Sequence, residues 1–282
     1  MLSEGKLGYL FIIISMFIWG SIGLFVRWIP YPSELIVFYR VSFAFLFLLL
    51  ISVYKGDLKV SFQVNNRYVV IFSGIVLALN WIFFFQAIKN TSIANATLSY
   101  YTSPALVVLL SILFLKERLS IRGIISLALG ISGIFIMILS SNNNLVLEGI
   151  IGVGYGVIAA FCYALFTLLS KQINGISARD LTLLQTGISM IMLFPFVLEG
   201  ELPNLKSFFL LAVIGIIHTA LALMLYLKGL RMSKVQDVGI LSYLDPLSAI
   251  IFAIVFLGEI PTFSTFIGGA FILISSYLII GE

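Results

Sequence analysis

Apolar residues run along this chain in long blocks that share neither a strand's alternation nor a surface helix's single stripe. Ten blocks of membrane-spanning length can be cut, at roughly 7–28, 33–54, 67–89, 92–115, 120–140, 149–171, 178–198, 206–229, 234–257 and 261–280. A helix needs about 20 mostly apolar residues to cross a bilayer. Short polar breaks separate the blocks, among them Tyr54-Lys-Gly-Asp, Leu115-Lys-Glu-Arg, Ser140-Ser-Asn-Asn-Asn and Glu199-Gly-Glu-Leu-Pro. The pattern predicts an all-α integral membrane protein of ten transmembrane helices with no soluble domain between them.

Composition agrees. Of 282 residues, 61% are hydrophobic and only 10% are charged, against about 25% charged in a soluble domain. The net charge of +4 matters less than its placement. Lys6, Lys55, Lys59, Arg67, Lys116, Arg118, Arg122, Lys171, Arg179, Lys228, Arg231 and Lys234 fall on one side of the ten-helix scheme. Only Arg27, Lys89 and Lys206 fall on the other, and Arg40 lies within a span. Basic loops stay cytoplasmic, so both termini are expected inside. The first block is too long and too aromatic for a cleavable signal peptide and lacks a small-x-small site. One cysteine, Cys162, allows no internal disulfide and no Cys-rich metal site.

The chain also reads as a duplication. Shifted by 142 positions, YTSPALVVLLSILFLKE (101–117) falls on YLDPLSAIIFAIVFLGE (243–259). Tyr101 meets Tyr243, Pro104 meets Pro246, and Glu117 meets Glu259. With a slip of two residues, Phe17-Ile-Trp-Gly meets Phe161-Cys-Tyr-Ala. The predicted repeats are 1–143 and 144–282. Five spans each is an odd number, so the second repeat enters the membrane inverted. Inverted repeats mark secondary transporters with a midplane site between the halves.

Taken in order, Phe17-Ile-Trp-Gly, Phe38-Tyr-Arg-Val-Ser-Phe-Ala, Pro104…Leu115-Lys-Glu-Arg-Leu, Pro246…Phe256-Leu-Gly-Glu and Gly268-Gly269 resemble the ten-helix drug/metabolite transporter superfamily, EamA type. The resemblance implies a carrier of amino acids, nucleosides or other small metabolites, often exported, with a cavity lined by helices 1, 3, 4, 6, 8 and 9. It does not transfer a substrate.

Several polar residues sit at midspan depth. Ser103-Pro104 and Asp245-Pro246 pair a good N-cap with a residue favoured at the first helical position. They are expected to break spans 4 and 9, and broken backbone at depth is tolerated where it lines a cavity. Asp245 lies 11 residues after Lys234, near midplane, where a charge costs about 2.5–3.5 kcal/mol. It is the expected principal ionisable group of the site. Trp19, Asn80, Trp81, Tyr100, Tyr101, Tyr163 and Tyr243 are candidates for a polar-aromatic pocket, since buried hydroxyls and amides need partners. Trp19, Tyr101, Tyr163 and Tyr243 are expected to converge on one cavity. His218, the only histidine, reads as a satisfied core residue or as a cavity-lining, proton-exchanging one. Arg40 reads as a structural anchor; its counterpart in the second half is near Gln185. Glu117 and Glu259, with the two prolines, read as structural.

Gly152-x-x-x-Gly156 and Gly130-Ile-Ser-Gly133 read as close helix packing. The second also has the shape of an intramembrane serine hydrolase motif, with Ser132 and His218 as an alternative dyad, which the duplication disfavours. There is no H-E-x-x-H and no Walker loop, so neither a metal nor a nucleotide cofactor is expected. The expected function is secondary transport of small organic metabolites across the plasma membrane, outward, with protons the coupling ion. An uptake carrier or a uniporter of amines or nucleosides is the alternative. Expected partners are a small-molecule substrate and the bilayer, with no nucleic acid and either a monomer or a homodimer. One acid and no firmly placed midplane base favour neutral, zwitterionic or cationic solutes over polyanions.

Overall fold

The structure, a computed structural model, describes residues 4–56, 66–90, 99–139, 150–198, 202–258 and 263–280. Glu259 and the Asn142–Asn144 loop fall outside the described residues. Every regular element among the described residues is helical. In chain order they are α1 (Glu4–Gly20), α2 (Ile22–Arg27), α3 (Ser33–Lys55), α4 (Arg67–Asn90), α5 (Ser103–Leu115), α6 (Ile121–Leu139), α7 (Ile150–Gln172) and α8 (Ala178–Leu193). A 3₁₀ turn (Phe194–Val197) follows α8. Then come α9 (Leu205–Val213), a π-helical segment (Ile214–Leu221), α10 (Ala222–Met232), α11 (Val235–Leu241), α12 (Leu244–Leu257) and α13 (Phe263–Ile280).

Five stretches are long and apolar enough to cross a bilayer: Glu34–Lys55, Arg67–Ala87, Ile151–Gln172, Leu205–Met232 and Val235–Phe256. Ser103–Leu115, Ile121–Ile136 and Phe266–Ile280 are shorter apolar helices. Leu50, Leu113, Ile191 and Phe266 are exposed, as expected where the surrounding solvent is lipid. The buried interior instead collects serines, threonines, Asn80 and Gln185. Backbone groups in lipid are satisfied within helices, which explains why the polar interior sits between helices rather than within loops.

The packing repeats itself. Helix α4 packs on α7, and α1 on α10; α5 packs on α7, and α1 on α12; α4 packs on α8, and α3 on the π segment. Each pair becomes its neighbour when every predicted span is exchanged for the one five further on. The pairs α3–α8, α6–α13 and α5–α11 map onto themselves. Close approach at the α1–α10 crossing needs Gly8 and Gly229, since a Cβ on Gly229 would stand 2.7 Å from the Gly8 carbonyl oxygen.

One end of the bundle is tied together by polar contacts. The Glu117 carboxylate accepts hydrogen bonds from the backbone N–H groups of Val235 and Gln236, both at 3.0 Å. Lys171 donates to the carbonyls of Leu230, Arg231 and Ser233 at 2.6–3.2 Å. Tyr9 donates to Asp237 at 2.7 Å. All of these residues belong to segments that the basic-residue pattern places on one side. At the other end the Tyr31 hydroxyl accepts from the Asn204 N–H at 3.0 Å, joining two segments placed on the opposite side.

Spans 4 and 9 are broken, though not at the residues expected. Helix α11 stops at Leu241, Ser242-Tyr243 forms a turn, and α12 begins at Leu244. Asp245 is therefore in the first turn of α12 and does not cap it. Pro246 is tolerated there because first-turn N–H groups have no intrahelical acceptor anyway. Likewise Ser103 is the first residue of α5, and Thr102 holds the cap position without capping by its side chain. The two breaks lie side by side: a Cβ on Gly239 would stand 3.0 Å from the Pro104 carbonyl oxygen.

Candidate functional site

Five aromatic side chains from four spans form a continuous row near the breaks. Trp19 of α1 lies against Tyr226 of α10, ring centroids 5.2 Å apart. Tyr226 lies 6.1 Å from Tyr163 of α7. Tyr163 is 6.4 Å from Tyr100, and Tyr100 is 6.0 Å from Tyr101. Trp19, Tyr163, Tyr100 and Tyr101 are half-buried. Centroid separations of this size are those of favourable edge-to-face and tilted pairs.

Hydrogen bonds fix the row. The Trp19 indole donates to the His218 carbonyl at 2.8 Å. Tyr226 and Thr167 share a hydroxyl hydrogen bond of 2.8 Å. Asn80 is almost fully buried and donates to the Ala159 carbonyl at 2.8 Å and to the Tyr100 hydroxyl at 3.4 Å. Asn80 thus ties α4 to α7 and orients Tyr100.

Asp245 lies near this row: three residues before it, the Ser242 hydroxyl stands 3.5 Å from the Tyr163 hydroxyl. Its flanking residues Leu244, Pro246 and Leu247 are buried, whereas Asp245 is half-buried. Among the described residues it has no hydrogen-bond or ion-pair partner. An uncompensated carboxylate at this depth is costly, and such groups are retained where function needs them.

A second charge borders the row. Arg40 is 8% exposed, donates from Nε to the Thr219 hydroxyl at 3.0 Å, and lies 4.8 Å above the Trp81 ring. This is cation–π geometry. Trp81 is half-buried beside it. The π segment makes this possible: its wider turn carries Thr219 toward α3, and π turns inside α-helices gather at functional sites.

Three expected site residues stand elsewhere. Tyr243 is 1% exposed and lies flat against Gly130 of α6, where a Cβ would stand 2.5 Å from its ring. Tyr243 closes its turn, Ser242-Tyr243, whereas its repeat counterpart Tyr101 opens one, Tyr101-Thr102, so the two face differently. Ser103 is buried in the α5 packing. His218 is also buried, bonded through Nε2 to Ser21 at 2.9 Å and packed edge-on by Phe25, centroids 4.8 Å apart. It sits at the polar end of an apolar crevice of about 380 Å³ that includes Ile14, Phe17, Ile217 and Phe252. Phe17 and Ile217 are exposed, so this crevice opens toward lipid. The hydrolase dyad is excluded by placement: Ser132 is exposed on α6, which packs on α13, and His218 is engaged by Ser21.

Tyr226, Thr167 and Thr219 contact the row or Arg40 and were not singled out from the sequence. Tyr226 could have been found, since the 142-residue shift places it on Phe84, whose ring packs 4.5 Å from Tyr100. No groups of three or more His, Cys, Asp or Glu positioned to hold a metal occur among the described residues.

A model of the EamA-like transporter family matches residues 6–139 and again residues 150–281. The chain is 34% identical over 255 residues to the uncharacterized transporter YxxF of Bacillus subtilis, covering 88% of this chain and 81% of that one. It is 28% identical over 291 residues to the uncharacterized inner membrane transporter YicL of Salmonella typhimurium, covering 96% and 94%. It is 25% identical over 284 residues to protein RarD of the same organism, covering 95% and 92%. A protein of known crystal structure shares the fold with a TM-score of 0.83 at 19% identity, over 99% of this chain and 96% of that one.

Proposed function

The chain belongs to the EamA-like transporter family and is no enzyme, and from that footing we propose a secondary transporter that carries small zwitterionic or cationic metabolites out across the plasma membrane. One observation carries the substrate reading: Asp245, a carboxylate with no partner among the described residues, lies beside a row of half-buried aromatic rings. Aromatic faces and a carboxylate together attract an ammonium group. Trp19, Tyr100, Tyr101, Tyr163, Tyr226 and Trp81 would form the walls, with Asn80 holding Tyr100.

The mechanism is alternating access between repeats 1–143 and 144–282, the second inverted. The exchange symmetry of the helix packing supports this division, and the polar contacts at one end support the side assignment. The name of the inner membrane relative supports placement in the plasma membrane. The outward direction rests on the habit of the family. Protons are the proposed coupling ion, taken up by Asp245 when no cation occupies the site, because an unpaired charge there is costly.

Counterflow in proteoliposomes tests the function. Purified protein loaded with amino acids, amines, nucleosides or sugars should exchange zwitterionic or cationic solutes and ignore sugar phosphates. Asp245→Asn should fold, lose affinity for the transported cationic solutes, and flatten the pH profile of flux. Unchanged affinity and pH profile in Asp245→Asn would reduce Asp245 to a structural residue.

A further inference from the structure

We propose that Arg40 is the carboxylate-binding residue of the transport site, receiving the acidic group of a solute whose ammonium group is held at Asp245. The inference rests on the transporter reading and extends it to the anionic end of the substrate.

The sequence alone makes Arg40 an anchor, and part of the side chain does anchor. Nε bonds Thr219 and the guanidinium plane stacks on Trp81. These contacts fix the plane and leave the outer fork unused. Neither Nη1 nor Nη2 has a hydrogen bond or ion pair among the described residues, and neither is a sealed, orphaned atom. A guanidinium that is nine-tenths buried yet keeps an open fork is prepared for a ligand. The two parallel donors of such a fork match a carboxylate.

The counter-charge cannot come from Asp245. No ion pair joins Arg40 to Asp245 among the described residues. Each charge is therefore left for a solute to answer. A bipolar solute satisfies both ends and brings no net charge into the membrane.

The same count disfavours a phosphate. A phosphate dianion needs more than one cation. Among the described residues, Lys171 and Arg231 bond backbone carbonyls at one end of the bundle and make no hydrogen bond or ring contact with the aromatic row or with Arg40. One open guanidinium answers one carboxylate.

The sequence offers a reason for the asymmetry. Gln185 lies near the place that matches Arg40 in the other half, and its amide NH₂ donates to Ser73 and Ser170 at 2.9 and 3.0 Å. A purely structural role at this place is met by a neutral amide. The charge at Arg40 therefore serves something else.

The test compares α-amino acids with their methyl esters, which keep the ammonium group and lose the carboxylate. Binding to purified wild-type protein is read by calorimetry across a panel of leucine, phenylalanine, threonine and lysine and the four esters. At least one acid should bind at least about tenfold more tightly than its ester, the loss of one charge-assisted bidentate contact. Arg40→Gln should bring acid and ester to within about twofold, and Arg40→Lys should fall between. Asp245→Asn should weaken both forms and leave their ratio unchanged. The proposal is overturned if wild type prefers the esters or binds both alike, if Arg40→Gln keeps the wild-type ratio, or if none of the acids binds. In that last case counterflow of other solutes would still uphold the transporter reading. Size-exclusion profiles check folding, and the wild-type comparison stands even if Arg40→Gln does not fold.

Discussion

Arg40 and Gln185 make the same kind of bond in opposite directions across the molecule. Arg40, on α3, donates to Thr219 in the later half of the chain at 3.0 Å. Gln185, on α8, donates to Ser73 in the earlier half at 2.9 Å. Helices α3 and α8 also pack on each other. Each half thus holds the other through a polar side chain at matched depth, one charged and one neutral.

Removing the neutral member should cost stability and spare transport. Gln185→Ala leaves the hydroxyls of Ser73 and Ser170 without that donor in a buried setting. A lost buried hydrogen bond of this kind costs about 1–3 kcal/mol. Thermal unfolding in detergent should fall by several degrees, with substrate affinity unchanged. A change in substrate affinity with unaltered unfolding would place Gln185 in the site instead.

Tyr243 should behave as a packing residue. Among the described residues its hydroxyl has no hydrogen-bond partner, and its ring lies on Gly130. Tyr243→Phe should be neutral or slightly stabilising, because an unsatisfied buried hydroxyl is removed. Gly130→Ala overpacks the contact and should cost about 1–3 kcal/mol. Flux measured per folded molecule checks both, and loss of transport in Tyr243→Phe would return this residue to the cavity wall.

Tyr226 should show the opposite behaviour. Its ring joins Trp19 to Tyr163. Tyr226→Phe keeps the row and loses only the bond to Thr167, so affinity should change by no more than a few-fold. Tyr226→Leu interrupts the row and should weaken substrate binding by about tenfold, in line with about 0.5–1.5 kcal/mol for an aromatic pair beyond its buried area. Equal affinities in the two variants would remove the row from the binding site.

Glu117 should act as a clasp between the two broken spans. Its carboxylate holds the first two N–H groups of α11, a capping arrangement that typically contributes about 0.5–2 kcal/mol. Glu117→Ala should lower stability by that order. It should also raise the labelling rate of a cysteine placed at Gln236, in a Cys162→Ala background. Labelling as slow as in the unmutated clasp would show that other contacts keep this end closed.

The sequence made some of these features readable and hid others for definite reasons. The spans and the duplication were legible because lipid-facing helices must be apolar throughout and because Pro104, Pro246 and the helix-end glutamates are rare enough in such sequence to align. Asp245 was legible because a carboxylate has no cheap place at that depth. The facing of Tyr243 was not. Both tyrosines sit in two-residue turns, but Tyr101 opens its turn and Tyr243 closes its own, so the two match in sequence and diverge in space. His218 left two readings open in the sequence, and its burial and its bond to Ser21 fit the core residue. The open fork of Arg40 depends on what does not approach it, which no single sequence displays.

That π segment, Ile214–Leu221, also sets how this span tolerates insertion and loss. A π turn holds one residue more than the α turn it interrupts. Deleting a single residue within it would let the helix relax to ordinary i to i−4 bonding without breaking its hydrogen-bond ladder. The wide turn absorbs its extra residue locally, so the half of the span beyond would keep nearly the same facing, with Tyr226 still beside Trp19 and Lys228 still over the Phe11 ring, where it lies at 4.4 Å. His218 and Thr219, inside the segment, are the side chains that would be carried to new positions. One residue's length of chain is therefore taken up where Thr219 meets Arg40, and the face that carries Tyr226 is spared.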